Sequence, residues 1–313
     1  MHYIVLWLNI KDVKDILMQL QQVLHDLKNK TEIAIIEKYD CLVKRYTVTF
    51  IILGILCIFG STIFQLWINM NNVDLSTNKS RSCHFLFMVE YFIDQEKYFY
   101  LIFLHINAAI CIGIIVLIGC SSICLACLLY SCGMFKIASY RIQHAININV
   151  RQNITLENKI LMTEGIICAV DIHRRAIKLN KHLVSLLNMT LSILMCGVVC
   201  LSLNLLQIAL SERDIKNLLL PILYASICIM YMFVGNLMGQ AVIDYNNHVF
   251  ITAYNVQWYR TPLHIQRMIL FILQTGNKEF YLNIGGVFSV SIEGFATLVK
   301  TSISYFTVIY SVQ

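Results

Sequence analysis

Hydrophobic positions along the chain come in long unbroken blocks rather than in alternation. Four charge-free apolar stretches fall within 46–67, 98–135, 182–211 and 217–243. Each exceeds the ~20 residues that a helix needs to cross a hydrocarbon core. Backbone groups in lipid must satisfy one another, so each block predicts a helix. A fifth block, 287–310, is interrupted by Glu293 and Lys300. Phe288, Val290, Ile292, Phe295, Leu298, Ile303, Phe306 and Ile309 still give its other faces enough apolar surface for a span. The pattern predicts an all-α, polytopic transmembrane helical bundle, with spans near 46–67, 99–130, 183–210, 217–240 and 287–310.

The two charges in the last block belong to a polar row. Glu293, Thr297, Lys300, Ser304 and Ser311 recur at steps of four, three, four and seven. On a 3.6-residue repeat these steps hold them within about 40° of one helix face. A charge inside a span costs roughly 2.5–3.5 kcal/mol on insertion scales, and it persists where it faces protein, a counter-charge or water. The row therefore either lines a water-filled path or binds helices together inside the bundle.

The segments between the blocks are more than linkers. Val13, Ile16, Leu20, Val23, Leu24 and Leu27 follow helical spacing, as do Ile166, Val170 and Ile177, and then Phe250, Tyr254 and Trp258. They predict helices that extend the spans and pack together as an anchor domain, with mixed acidic and basic residues arguing against a helix lying flat on lipid. Residues 1–45 are expected to form a cytoplasmic helical segment and 46–313 the five-span channel or receptor domain. Segments 1–45, 136–181 and 244–282 carry eighteen Lys and Arg, whereas the intervening loops carry five. This asymmetry places the amino terminus in the cytoplasm and, after five spans, the carboxyl terminus outside. The sequon at Asn78 then falls in an outer loop, open to glycosylation. Those at Asn29, Asn153 and Asn188 fall inside or in a span and read as chance matches. Residues 2–10 lack the features of a secretory signal.

Composition narrows the class. Hydrophobic residues make up 58% of the 313 and charged residues 13%, with a mean hydropathy of +0.67. A soluble domain carries about 25% charged residues. The net charge of +6 is split among loops, so no patch suited to nucleic acid forms. Most of the twelve cysteines lie in apolar runs. Cys120, Cys124 and Cys127 have metal-like spacing but no histidine or carboxylate neighbours, which favours packing over a zinc site. No phosphate loop, metalloprotease motif or nucleophile elbow is present, and nothing calls for a metal, a cofactor or an enzymatic role. His173, Arg174 and Arg175 read as topology-setting charge, His105 as a buried neutral histidine, and Glu90, Asp94 and Glu96 as a solvated loop. No internal repeat or pair of broken spans suggests a transporter.

Several stretches resemble insect odorant receptors, particularly the branch expanded in ants, bees and wasps. They are Asp-Gln-Glu-Lys-Tyr-Phe-Tyr ending at Tyr100, Cys-Gly-Met-Phe-Lys-Ile-Ala-Ser-Tyr-Arg ending at Arg141, Gly-Asn-Leu-Met-Gly-Gln ending at Gln240, and Tyr-Asn-Val-Gln-Trp-Tyr ending at Tyr259. The closing run, 282–310, resembles the family's last helix and its approach. The resemblance covers roughly 10–313. It implies an odorant-gated, nonselective cation channel subunit of the plasma membrane, binding small volatile odorants and assembling in the lipid bilayer as a hetero-tetramer with a co-receptor. It also implies that the last helix lines the pore, with Val308 at a hydrophobic constriction, Ser311 beside it, and Ser304, Lys300 and Glu293 further in. By family position the odorant pocket would draw on Phe59, Phe64, Gln65, Phe103, His105, Asn107, Tyr224, Met230 and Tyr231. The family has seven spans and this chain matches the last five, with 2–10 as the tail of the second. A nonfunctional truncated product and a G-protein-coupled receptor, whose carboxyl terminus would lie inside, are the competing readings.

Overall fold

The computed structural model describes residues 10–27, 29–73, 98–150, 156–188, 191–210, 215–276, 280–286 and 288–312. Its helices are α1 (Ile10–Asp26), α2 (Lys30–Val73), α3 (Phe99–Val150), α4 (Leu156–Asn188), α5 (Leu191–Leu210), α6 (Ile215–Asn255), α7 (Leu263–Gly276) and α8 (Ile292–Val312). A 3₁₀ turn spans Trp258–Arg260, and β1 (Asn283–Ile284) pairs antiparallel with β2 (Phe288–Ser289). Among the described residues, Lys30–Ile63, Tyr100–Asn147, Pro221–Asn255 and Ile292–Val312 are long and apolar enough to cross a membrane. α5 adds a shorter apolar stretch, Cys196–Leu210.

At 44 and 52 residues, α2 and α3 extend to about 66 and 78 Å at ~1.5 Å per residue, well beyond a ~30 Å hydrocarbon core. Both helices run through two compact units, one holding Leu42–Ile123 and the other Cys124–Gln313 with the amino-terminal helical residues up to Cys41. In the first unit Gly54 lies against the side chains of Ile114 and Ile118, a close approach of α2 and α3. Ile52, Leu56, Phe59, Leu104, Ile112 and Ile115 are exposed there, as lipid-solvated side chains are.

The second unit holds the anchor. α1 buries Ile16, Leu20, Val23 and Leu27 and packs on α4, whose stripe is Met162, Ile166, Ala169, Ile172, Ala176, Leu179 and Leu183. Phe135, Ile137, Ala138, Ile142 and Ile146 supply the α3 face, and Ile265 and Ile269 the α7 face. Asn29 starts α2 by accepting the Thr31 amide on its Oδ1 at 3.1 Å, a cap that accounts for its place before the helix. The expected stripe of Phe250, Tyr254 and Trp258 is displaced: Tyr254 is 68% exposed, and Val249, Ala253 and Val256 turn inward. Small side chains fill the inward face of α6, Tyr254 is left at the edge, and Phe250 stays half-buried. Leu24 is likewise exposed beside the buried α1 stripe.

The last helix begins at Ile292, later than the expected 287, because a hairpin precedes it. Gly285 and Gly286 adopt φ of 63° and 70°, left-handed values that favour glycine, and turn the chain so that Ile284 faces Phe288. Ser291 then caps α8 by accepting the Gly294 amide at 3.1 Å. The hairpin segment is wedged between two helices. Gly239 of α6 meets Val290, and Gly294 of α8 meets the Ser289 carbonyl, so a Cβ at either would overlap backbone. Above it α5, α6 and α8 share a core of Val198, Leu201, Ala225, Met232 and Leu298.

Candidate functional site: the last helix and its anchor

α8 presents three faces. Gly294, Leu298 and Ser302 are its buried residues. Ser302 is fully buried, and its carbonyl accepts from Ser202 Oγ of α5 at 2.9 Å while that hydroxyl also lies 2.8 Å from the Val198 carbonyl. This is a polar link that binds α8 to α5. Sequence reasoning named Ser304 and missed Ser302, although Ser302 stands one turn above Leu298 and its position on the apolar arc was a readable signal.

The polar row points elsewhere. Glu293, Thr297, Lys300, Ser304 and Ser311 are all exposed. At ~100° per residue the row is centred about 130° around the helix from the buried arc. Among the described residues the row therefore lies away from the helices on which α8 packs. Val308, 58% exposed, lies at its margin. Ile292, Ile303 and Tyr310 form a third, apolar exposed arc. Two hydroxyls of the row satisfy themselves locally: Thr297 donates to the Glu293 carbonyl at 3.0 Å and Ser311 to the Val308 carbonyl at 2.9 Å.

The two charges of the row have different standing. Glu293 sits in the first turn of α8, where the helix dipole favours a carboxylate. Lys300 stands roughly 12 Å along a helix of about 31 Å, far from either terminus. Among the described residues no carboxylate pairs with it.

The anchor beneath α8 is held by buried polar contacts. Arg141 of α3 grips Glu32 of α2 through both carboxylate oxygens at 2.7 and 2.8 Å, and its Nη1 donates to the Cys168 carbonyl of α4 at 3.0 Å. The Glu32 side chain is 7% exposed, so the pair is largely desolvated on that side. His173, read from sequence as topology-setting charge, is instead buried between Phe135 and Phe250, each 5.4 Å away by ring centroid. Its Nε2 lies 3.0 Å from Asn246 Oδ1, which calls for the tautomer protonated at Nε2. Burial lowers its pKa below the ordinary histidine value, against the weaker opposing effect of the Asn246 contact. Arg175 bridges Asp26 at 3.1 Å and Asp171 at 2.8 Å.

The expected odorant-pocket residues divide between the two units. Phe59, Phe103, His105 and Asn107 belong to the first, where Phe59 and His105 are exposed, Phe103 is half-buried and Asn107 donates to the Phe103 carbonyl at 2.8 Å. The expectation of a buried His105 thus differs from its exposed placement. Tyr224, Met230 and Tyr231 belong to the second, Tyr224 half-buried and the other two exposed. The Phe64 and Gln65 side chains lie outside the described residues, as do Asn78, Glu90, Asp94, Glu96 and Asn153. Cys127 is buried and Cys120 and Cys124 are half-buried in α3.

The family model described as 7tm Odorant receptor matches residues 1–303. No curated protein sequence matches the chain significantly. Among solved structures, the insect olfactory receptor OR5 from Machilis hrabei is similar over 100% of this chain and 77% of its own, with a TM-score of 0.73 and 14% identity. The same receptor in complex with eugenol is similar over 90% of this chain and 69% of its own, with a TM-score of 0.69 and 12% identity.

Proposed function

Because the chain belongs to the insect odorant receptor family, a family of multi-pass membrane proteins, we propose that it is an odorant-gated, nonselective cation channel subunit. It acts in the plasma membrane with a co-receptor, its amino terminus inside and its carboxyl terminus outside. The observation that carries this reading is the placement of the polar row on α8. Glu293, Thr297, Lys300, Ser304 and Ser311 face away from α5 and α6, the helices against which α8 packs. A charged, hydroxyl-bearing face that lipid would penalise is satisfied by water in a path shared with neighbouring subunits.

In this reading the four long apolar helices and the apolar stretch of α5 would make five spans. α8 would line the conduit, and Val308 would close it. A ring of exposed valines excludes water, and a small outward displacement of the helices rewets it. The anchor holds the inner ends of the helices while their outer parts respond to ligand. The ligand in this reading is a small, largely apolar volatile. It would open the channel only by binding the open arrangement more tightly than the closed one. The eugenol complex of the similar receptor supports a small-molecule ligand.

The test is coexpression with a co-receptor and current recording across an odour panel. Odorant-evoked cation current is the expected result, and its absence from cells with surface-labelled receptor would leave the nonfunctional reading. An epitope tag after residue 313 accessible on intact cells supports the orientation; one reached only after permeabilisation supports the G-protein-coupled topology. Val308→Ser should raise resting current, and an unchanged basal conductance counts against the gate. Tyr224→Ala and Tyr231→Ala should shift odorant potency with surface delivery intact, whereas equal loss of delivery marks them as structural.

A further inference from the structure

Of the two charged side chains of α8, Lys300 is the one that the fold leaves unexplained. Glu293 has the helix dipole, while Glu32 and Arg141 have each other. Lys300 has neither a terminus nor, among the described residues, a carboxylate. It is exposed, near the middle of α8, and shares its face with Thr297 and Ser304. The reach of a lysine stem is short of the ~12 Å to the inner end of the helix, so snorkelling does not relieve it.

We infer that Lys300 is a selectivity-determining residue, an ammonium on the conduction path that discriminates against divalent cations and limits cation flow. This rests on the channel reading above and adds to it the ion that this subunit rejects. A cation about 5 Å from one ammonium in water is depleted roughly fourfold if monovalent and about sixteenfold if divalent. Salt screening reduces these to about twofold and fourfold. Each further copy of the subunit adds another such charge, so an assembly built from this chain alone would place a ring of ammonium groups in a cation path. Mixed assembly reduces the number of such charges and so lowers the barrier to conduction. Glu293, about 10 Å nearer the inner end on the same face, sits too far away to cancel it in salt.

The experiment uses the full chain coexpressed with the co-receptor. Reversal potentials are compared in sodium and calcium solutions during odorant-evoked currents. Lys300→Gln should raise the calcium-to-sodium permeability ratio about two- to fourfold, Lys300→Glu should raise it further, and Lys300→Arg should leave it unchanged. Ratios at the wild-type value in both Lys300→Gln and Lys300→Glu, with currents intact, overturn the proposal and leave the channel reading standing. Absence of any odorant-evoked current from the wild type overturns the channel reading itself. Should the neutral and acidic variants fail to reach the surface, Lys300→Cys decides the matter. A cationic methanethiosulfonate should restore the wild-type ratio and an anionic one should raise it, against the unmodified chain as control. Insensitivity to both reagents overturns the proposal.

Discussion

The two halves of α3 differ in polar content and have opposite fates: 99–124 holds no Asp, Glu, Lys or Arg, whereas 125–150 holds Lys136 and Arg141. In its first half Leu101, Leu104, Ile112 and Ile115 are each more than 60% exposed. In its second half Phe135, Ile137, Ala138 and Ile146 have no exposed surface at all. The first half has apolar residues on every face because lipid is its solvent. The second is surrounded by other helices and carries its polar groups, Ser131, Ser139 and Arg141, where each finds a partner. Hydrophobicity therefore selects the phase a helix occupies, and buried polar pairing selects which helices it meets.

The largest effect should come from removing a partner of the buried ion pair. Arg141→Ala leaves Glu32 desolvated and alone, a loss expected to reach about 3–5 kcal/mol and to appear as a lowered melting temperature in detergent and reduced surface delivery. Glu32→Ala should cost less, since Arg141 retains the Cys168 carbonyl and more solvent. Next, Ile166→Ala, in the anchor core, should cost about 2–5 kcal/mol. Ile115→Ala, in the lipid-facing half of α3, should stay within about 0.5 kcal/mol. Equal losses at the two sites would erase the distinction between the halves. Asn29→Ala, which removes the α2 cap, should cost about 1 kcal/mol, with Asn29→Ser recovering most of it.

The subtlest test is a slope against pH. His173 is buried and its pKa lies below the ordinary value near 6.5. As pH falls below that value the unfolded chain takes up a proton that the folded chain resists, so stability declines. The decline ends once the folded histidine also titrates. Above that range the contribution is complete and flat. His173→Gln should flatten this part of the stability–pH profile; an unchanged slope would mean that His173 is not held neutral by the anchor.

Much of the fold was legible in the sequence because its solvents are so different. Long apolar blocks marked α2, α3, α5 and α6, and helical spacing marked Ile16, Leu20, Val23 and Leu27 as one buried stripe. The hairpin before α8 was harder to see. Its strands are only two residues each, too short for an alternation to show, so the run from 287 reads as the start of a helix unless the paired glycines are taken as a turn. The inward face of α6 was misjudged for a related reason. Aromatic residues signal hydrophobicity most strongly, yet close helix contact selected Val249 and Ala253 over Tyr254.

The candidate site divides in the same way. The polar row of α8 was readable as a row, since spacing alone fixes which residues share a helix face. Spacing could not say whether that face met another helix of the subunit. By itself the sequence determined the phase of each segment, the membrane-crossing blocks and the members of each helical face, because these depend on composition and a fixed repeat. The tertiary structure decided which face is buried, which serine binds α8 to α5, and that Glu32, Arg141 and His173 belong to the anchor interior. Those outcomes depend on distances between residues far apart in the chain, and no local pattern encodes them.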